Sequence, residues 1–120
     1  FVPLKEQKIL QFIDYQTDDV EWLPGIKVRF VEGHTTAQMI LIIDQANEKT
    51  VFCADLIPSA WHIPLPYIMA YDMKPMITLE EKIRLLDEAR ENSWNLVFEH
   101  DPNTEKGKVI KDDKGKYRLA

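Results

Sequence analysis

One cysteine, four glycines and three histidines are spread over 120 residues, and each scarcity excludes something. The lone Cys53 rules out an internal disulfide, and with nothing stapled, a reducing cytoplasmic interior is the expected compartment. No Cys-x-x-Cys pair and no Gly-x-Gly-x-x-Gly run exists in the chain. The stretch "PNTEKGKV" ends in Gly-Lys, but Pro102 stands where a phosphate loop needs glycine, and the closing Ser/Thr is missing. Fifteen basic residues against twenty acidic ones give a net charge of -5, with no Lys/Arg cluster long enough to track a phosphate backbone. Trp and Tyr are not interleaved with basic residues, so no stacking platform for single strands is expected either. Nucleic acid is excluded as an expected partner. The longest unbroken apolar run is "MILII", Met39 to Ile43, far short of the roughly 20 residues that span a bilayer, and the N-terminus lacks a signal-peptide layout. No membrane partner is expected.

What is present suffices for a folded core. The chain is 45% hydrophobic, and its length suits one compact domain rather than two. "KILQFID" (Lys8 to Asp14) nearly alternates apolar and polar residues and predicts a half-buried strand. "DDVEWLPGIKVRFVEG" predicts two short antiparallel strands about a Pro24-Gly25 turn. Ala37 to Asp44 and "VFCAD" predict a hairpin of buried strands around the polar "QANEKT". From Leu56 to Pro75 four prolines forbid a long helix, while Trp61, Ile63, Leu65, Tyr67, Ile68 and Met69 carry a heavy apolar load. Such a loop reads as a site wall or a packed cover.

A helix follows. Thr78 and Glu81 have the T-x-x-E spacing of a capping box. Leu79, Ile83, Leu86 and Ala89 share one face, and Glu80, Lys82, Arg84, Asp87 and Glu88 are expected mostly on the other, up to an end near Asn92-Ser93. "NLVFEH" (Asn95 to His100) predicts a short buried strand, and "GKVIKDDKGKYRLA" a polar hairpin turning near Lys114-Gly115.

Three residues share one local setting. His34 follows the strand ending at Val31, Asp55 follows "VFCA", and His100 follows "NLVFE". Side chains at the ends of neighbouring strands converge on one sheet edge, so dispersed residues can meet at one point. Imidazole nitrogen and carboxylate oxygen suit zinc, and iron or manganese accept the same pair. Taken singly, each also reads as a turn residue. His62, Tyr67, Tyr71 and Asp72 pose a parallel choice between contact with a substrate, support of a ligand, and packing within the proline-rich loop. Ser59 and Cys53 have no evident triad partners.

In order and spacing, with 21 residues from His34 to Asp55 and 45 from Asp55 to His100, the chain resembles the C-terminal half of a metallo-β-lactamase superfamily hydrolase. "EGHTTAQMILII", "VFCADL", "NLVFEHDP" and the helix "TLEEKIRLLDEARENSWN" carry the resemblance, which covers Leu10 to about Pro102. It implies an α/β (α+β) fold, half of an αββα sandwich, with a mainly antiparallel sheet and a helix layer. It also implies that His34 completes a first metal site, that Asp55 bridges two metals and orients a hydroxide, and that His100 ligates the second. Zinc would be the cofactor, dinuclear in the intact parent, and a small ester, lactone, thioester or amide-type molecule the substrate. The superfamily's HxHxDH motif is absent, since histidine occurs only at 34, 62 and 100. With the start at Phe1, this predicts a single partial domain over residues 1–120, inactive alone, whose partner is the missing N-terminal half. His62 is a conceivable fourth ligand for one weakly held metal. A half-sandwich should expose the sheet around Met39 to Ile43 and Val51 to Cys53 and pair as a homodimer. The competing readings are a non-catalytic β-rich binding or self-association module and a di-iron oxidoreductase relative.

Overall fold

The computed structural model describes residues 1–120. Seven strands form one sheet in the order of the sequence: β1 (Val20–Leu23), β2 (Ile26–Val31), β3 (Gln38–Gln45), β4 (Glu48–Phe52), β5 (Asn95–Val97), β6 (Lys106–Lys111) and β7 (Tyr117–Leu119). Every neighbouring pair is antiparallel except β4 and β5, where Val51 lies opposite Leu96. A parallel pair needs a long crossover, and the long helix α2 (Pro75–Glu91) lies within it. A short N-terminal helix, α1 (Val2–Glu6), buries no residue.

Turn chemistry fixes the register of the hairpins. Gly25 turns β1 into β2 with φ +77°, while Ala46 and Asn47, at φ +52° and +66°, form a two-residue turn closed by the Gln45–Glu48 pair. Gly115, φ +73°, turns β6 into β7.

Strand alternation divides the apolar run of β3 between two faces. Ile40 and Ile42 point with Val51, Cys53 and Leu96 into the core, against Leu85, Leu86 and Ala89 of α2. Met39, Leu41 and Ile43 face the other way and are partly exposed. The expected exposure of the whole 39–43 and 51–53 stretch therefore holds for one face only, because α2 covers the other. On the open face, Phe12, Tyr15, Trp22, Phe30, Met39 and Leu41 line an apolar hollow of about 410 Å3.

Several expectations are corrected. Lys8 to Asp14 form no strand: this segment pairs with no strand of the sheet, and its side chains, Phe12 among them, are mostly exposed. The β5 strand stops at Val97, three residues before His100. Helix α2 starts earlier than its capping-box spacing indicates, because Pro75 supplies the preset φ of a first turn. Thr78 and Glu81 therefore lie inside the helix and serve other segments. The buried face comprises Thr78, Lys82, Leu85, Leu86 and Ala89, so Lys82, expected in solvent, is in the core.

Arg29 on β2 is another buried cation. Its guanidinium donates to both oxygens of Asp19 at 2.7 and 2.8 Å and to those of Glu88 on α2 at 2.6 and 3.1 Å. Burial opposes its charge, but the two carboxylates outweigh burial and raise its pKa further. This clamp ties the chain before β1, strand β2 and helix α2 together.

Candidate metal centre

Beyond β2 the backbone turns through Glu32, Gly33 and His34, and α2 determines that turn. Glu81 accepts hydrogen bonds from the Glu32 and Gly33 amides at 2.7 and 3.1 Å. Burial raises its pKa, with those two bonds acting in opposition. The Lys74 amide donates to the Gly33 carbonyl at 2.8 Å and the Met73 amide to that of His34 at 3.1 Å. The Glu32 carboxylate folds back to accept from the Ala37 amide at 3.0 Å, closing the loop. Gly33 is required by proximity: a Cβ there would collide with the backbone and hydroxyl of Thr78.

His34 is thereby aimed from both sides. Its Nδ1 lies 2.9 Å from Oδ1 of Asp72, a carboxylate only 1% exposed. Thr78 donates its hydroxyl to the other Asp72 oxygen at 2.7 Å. A carboxylate on Nδ1 makes that nitrogen the donor and leaves Nε2 with a free lone pair, the arrangement typical of metal-ligating histidines. Nε2 lies 3.5 Å from Oδ2 of Asp55.

Asp55 sits in a short 3-10 turn (Ala54–Leu56) directly after β4. Ala54 before it takes φ +45°, a left-handed conformation costing an alanine roughly 1–2 kcal/mol, and the chain turns sharply at that point. The other Asp55 oxygen, Oδ1, faces Nε2 of His100 at 3.2 Å. One carboxylate thus stands between two imidazoles, one oxygen to each. His100 is held by its amide, which donates to Pro58 O at 2.9 Å. Asp101 stitches the same corner, accepting from the Ala60, Asn103 and Thr104 amides at 2.9, 3.0 and 2.9 Å. The bond from Ala60, followed by those from Asn103 and Thr104, holds its carboxyl below the usual range.

The donors suit a cation. Ligand atoms at about 2.1 Å from one tetrahedral ion stand about 3.4 Å apart, close to the 3.5 and 3.2 Å seen here. Asp55, Glu99 and His100 bring ligand atoms within 4.8 Å of one another. Gln38 donates its amide to Asp55 Oδ2 at 3.3 Å, and its buried Oε1 has no partner, an orphaned acceptor on a residue of the same centre.

His62 stands apart from this cluster. Its Nδ1 is 2.8 Å from Ser59 Oγ, and its pKa is lowered by burial and by the Lys82 charge. It shares a cavity of about 390 Å3 with Pro58, Ser59, Ile68, Met69, Ala70, Tyr71 and His100. Tyr71 is largely exposed and meets the His34 ring edge-on at 5.9 Å between centroids. The Tyr67 side chain is exposed, and its carbonyl accepts from Lys82. Asp72 supports a histidine. Glu99 and Gln38 carry no role in the sequence pattern, and Glu81 and Lys82 take different roles from the cap and solvent face expected of them; only Glu99, a carboxylate beside His100, has a local signal.

No protein-family model and no curated protein matches the chain. Solved structures do. A probable metal-dependent hydrolase from Staphylococcus aureus shares 29% identity at TM-score 0.73, over 85% of this chain and 38% of its own. The hydrolase AbOPH of the beta-lactamase superfamily shares 22% identity at TM-score 0.78, over 98% of this chain and 40% of its own. AidC, a dizinc quorum-quenching lactonase solved with N-hexanoyl-L-homoserine, shares 19% at TM-score 0.71, over 88% and 36%. The chain spans about two fifths of the length of these structures. Its fold is a metallo-β-lactamase-type half, and its structural neighbours are hydrolases, among them a probable metal-dependent one and a dizinc lactonase.

Proposed function

We propose that this chain supplies the C-terminal part of the active site of a metal-dependent hydrolase. The observation that carries the reading is Asp55, set between His34 Nε2 and His100 Nε2 with one oxygen toward each. In this reading His34 and His100 would each help hold a cation and Asp55 would be shared between them, with Glu99 close enough to join. Zinc is the cofactor of choice for these donors, and iron or manganese would accept them. Bound cations would supply Lewis acidity and a hydroxide near neutral pH. Asp72 keeps His34 in the metal-binding tautomer and orientation. His62 and Tyr71 border the cavity beside His100 and contact a small ester, lactone, thioester or amide-type substrate.

A dinuclear centre needs more ligands than these. With His62 outside the group formed by Asp55, Glu99 and His100 and no further histidine in the chain, the remainder would come from another segment, an N-terminal half with the HxHxDH set. The chain alone is therefore inactive, and residues 1–120 form a partial domain. The apolar hollow at Trp22, Phe30 and Met39 gives that half a surface to cover; a second copy would cover it in a homodimer when the half is missing.

The test is a cobalt or zinc titration of the metal-free chain up to millimolar concentration, followed by calorimetry and the cobalt absorption spectrum. Weak binding that is lost in Asp55→Ala and His100→Ala is expected. Binding that is absent, or indifferent to Asp55, refutes the metal centre and favours a non-catalytic module.

A further inference from the structure

Lys82 is 1% exposed on the core face of α2. Burying an ammonium costs several kcal/mol unless its protons find acceptors. Here they do: Nζ donates to the carbonyls of Pro64 at 2.8 Å, Tyr67 at 2.9 Å and, more weakly, Leu65 at 3.5 Å. No carboxylate is among its partners. Residues 64–71 cannot organise themselves, since Pro64 and Pro66 lack amide protons and the backbone bonds here are only Tyr67 to Pro64 and Asp72 to Met69. The three bonds from Lys82 are the only hydrogen bonds joining residues 64–71 to another secondary-structure element, and the Leu65 side chain adds an apolar anchor. The same segment supplies Ile68, Met69, Ala70 and Tyr71 to the cavity beside His100 and runs directly into Asp72, the carboxylate that orients His34.

We propose that Lys82 is the positioning residue of this cavity, its ammonium fixing the 64–71 wall beside the metal centre by gathering three of its carbonyls. The significance of that wall for a substrate rests on the function proposed above; the tie itself does not. A leucine or methionine would fill the same core volume, so the cation is placed for its three diverging donors. Burial brings its pKa down to about 8, with the Asp72 charge opposing. Above that pH the amine keeps two donors for three acceptors, and the wall loosens. Of the ionisable groups facing this region, His62 titrates below its ordinary 6.5 and Tyr117, across the adjoining groove, above its ordinary 10, while Lys116, Glu81 and Asp72 are the other charged side chains near it.

Lys82→Met tests this, because it keeps the packing and removes the donors. Amide hydrogen exchange is followed on metal-free protein in chelator. In the variant, the two hydrogen-bonded amides of this segment, Tyr67 and Asp72, should exchange at least about tenfold faster, while those of α2 and β3 stay unchanged. In the unmodified chain the same amides should show an extra rise between pH 7 and 9 beyond the intrinsic base catalysis, absent from Lys82→Met. Exchange of these two amides that is unaltered by the variant, or faster throughout the molecule, overturns the proposal. So does a flat pH series in the unmodified chain, a measurement that stands even if the variant does not fold. Metal binding is read separately: loss of the metal centre with an intact exchange effect would remove the catalytic reading and leave the positioning role standing.

Discussion

Asp72→Ala separates orientation of a ligand from mere stability. Asp72 is nearly inaccessible and makes two bonds, 2.9 Å to His34 Nδ1 and 2.7 Å from the Thr78 hydroxyl. Hydrogen bonds to a charged group contribute about 1.5–3 kcal/mol each, but removing a buried carboxylate also relieves its desolvation. Thr78 keeps a fallback acceptor, the Lys74 carbonyl at 3.4 Å. A net loss of about 2–3 kcal/mol in urea denaturation is therefore expected. The second effect is on the metal. Without its carboxylate, the His34 ring can rotate and take the wrong tautomer, and such losses weaken metal affinity about 10–100-fold. Thr78→Val serves as the control: it should cost about 1 kcal/mol of stability while leaving affinity within a factor of about two. Cobalt titration of the three proteins under folded conditions reads both. If Asp72→Ala binds cobalt as tightly as the unmodified chain, Asp72 does not act through His34, and its burial is structural only.

Three further outcomes follow from the geometry. Gly33→Ala forces a methyl group into the Thr78 backbone, so α2 must shift; a loss of roughly 2–3 kcal/mol by thermal unfolding and weaker cobalt binding are expected, and near-neutral stability would contradict the contact. Cys53 is fully enclosed and burial pushes its thiol up to about 12, so a thiol reagent at pH 8 should label it only on unfolding; rapid native labelling would show that the core opens at β4. The hydrogen bond from Arg29 holds Asp19 below its ordinary 3.8. This lowered pKa means stability that is present above the ordinary value and lost as pH falls through the lower folded one, so Asp19→Asn should flatten the acid limb below about pH 4. An acid limb unchanged by that substitution would rule the ion pair out as its source.

Much of the scaffold was legible because its signals are local. Gly25 and Gly115 announce turns through their freedom at positive φ, "QANEKT" joins two apolar runs, and the apolar spacing of Leu79, Ile83, Leu86 and Ala89 announces α2, though not its start at Pro75. The Lys8 to Asp14 strand failed because alternation describes a segment that could pair, whereas pairing needs a partner edge. The capping box failed for a related reason: Thr78 and Glu81 have the right spacing, but their polar groups found Asp72 and the Glu32–Gly33 amides instead.

The sequence by itself determined the order of strands and helix from β1 onward and the placement of His34, Asp55 and His100 within a few residues after strands, because hydrophobic period and turn residues act over a few positions. Tertiary structure decided that the two oxygens of Asp55 face two different imidazoles, and which polar side chains entered the interior. Arg29, Asp72 and Lys82 look like surface residues in any short window. Each is buried because a distant segment offers matching donors or acceptors, and that complementarity exists only after the sheet, helix and proline-rich wall have closed on one another.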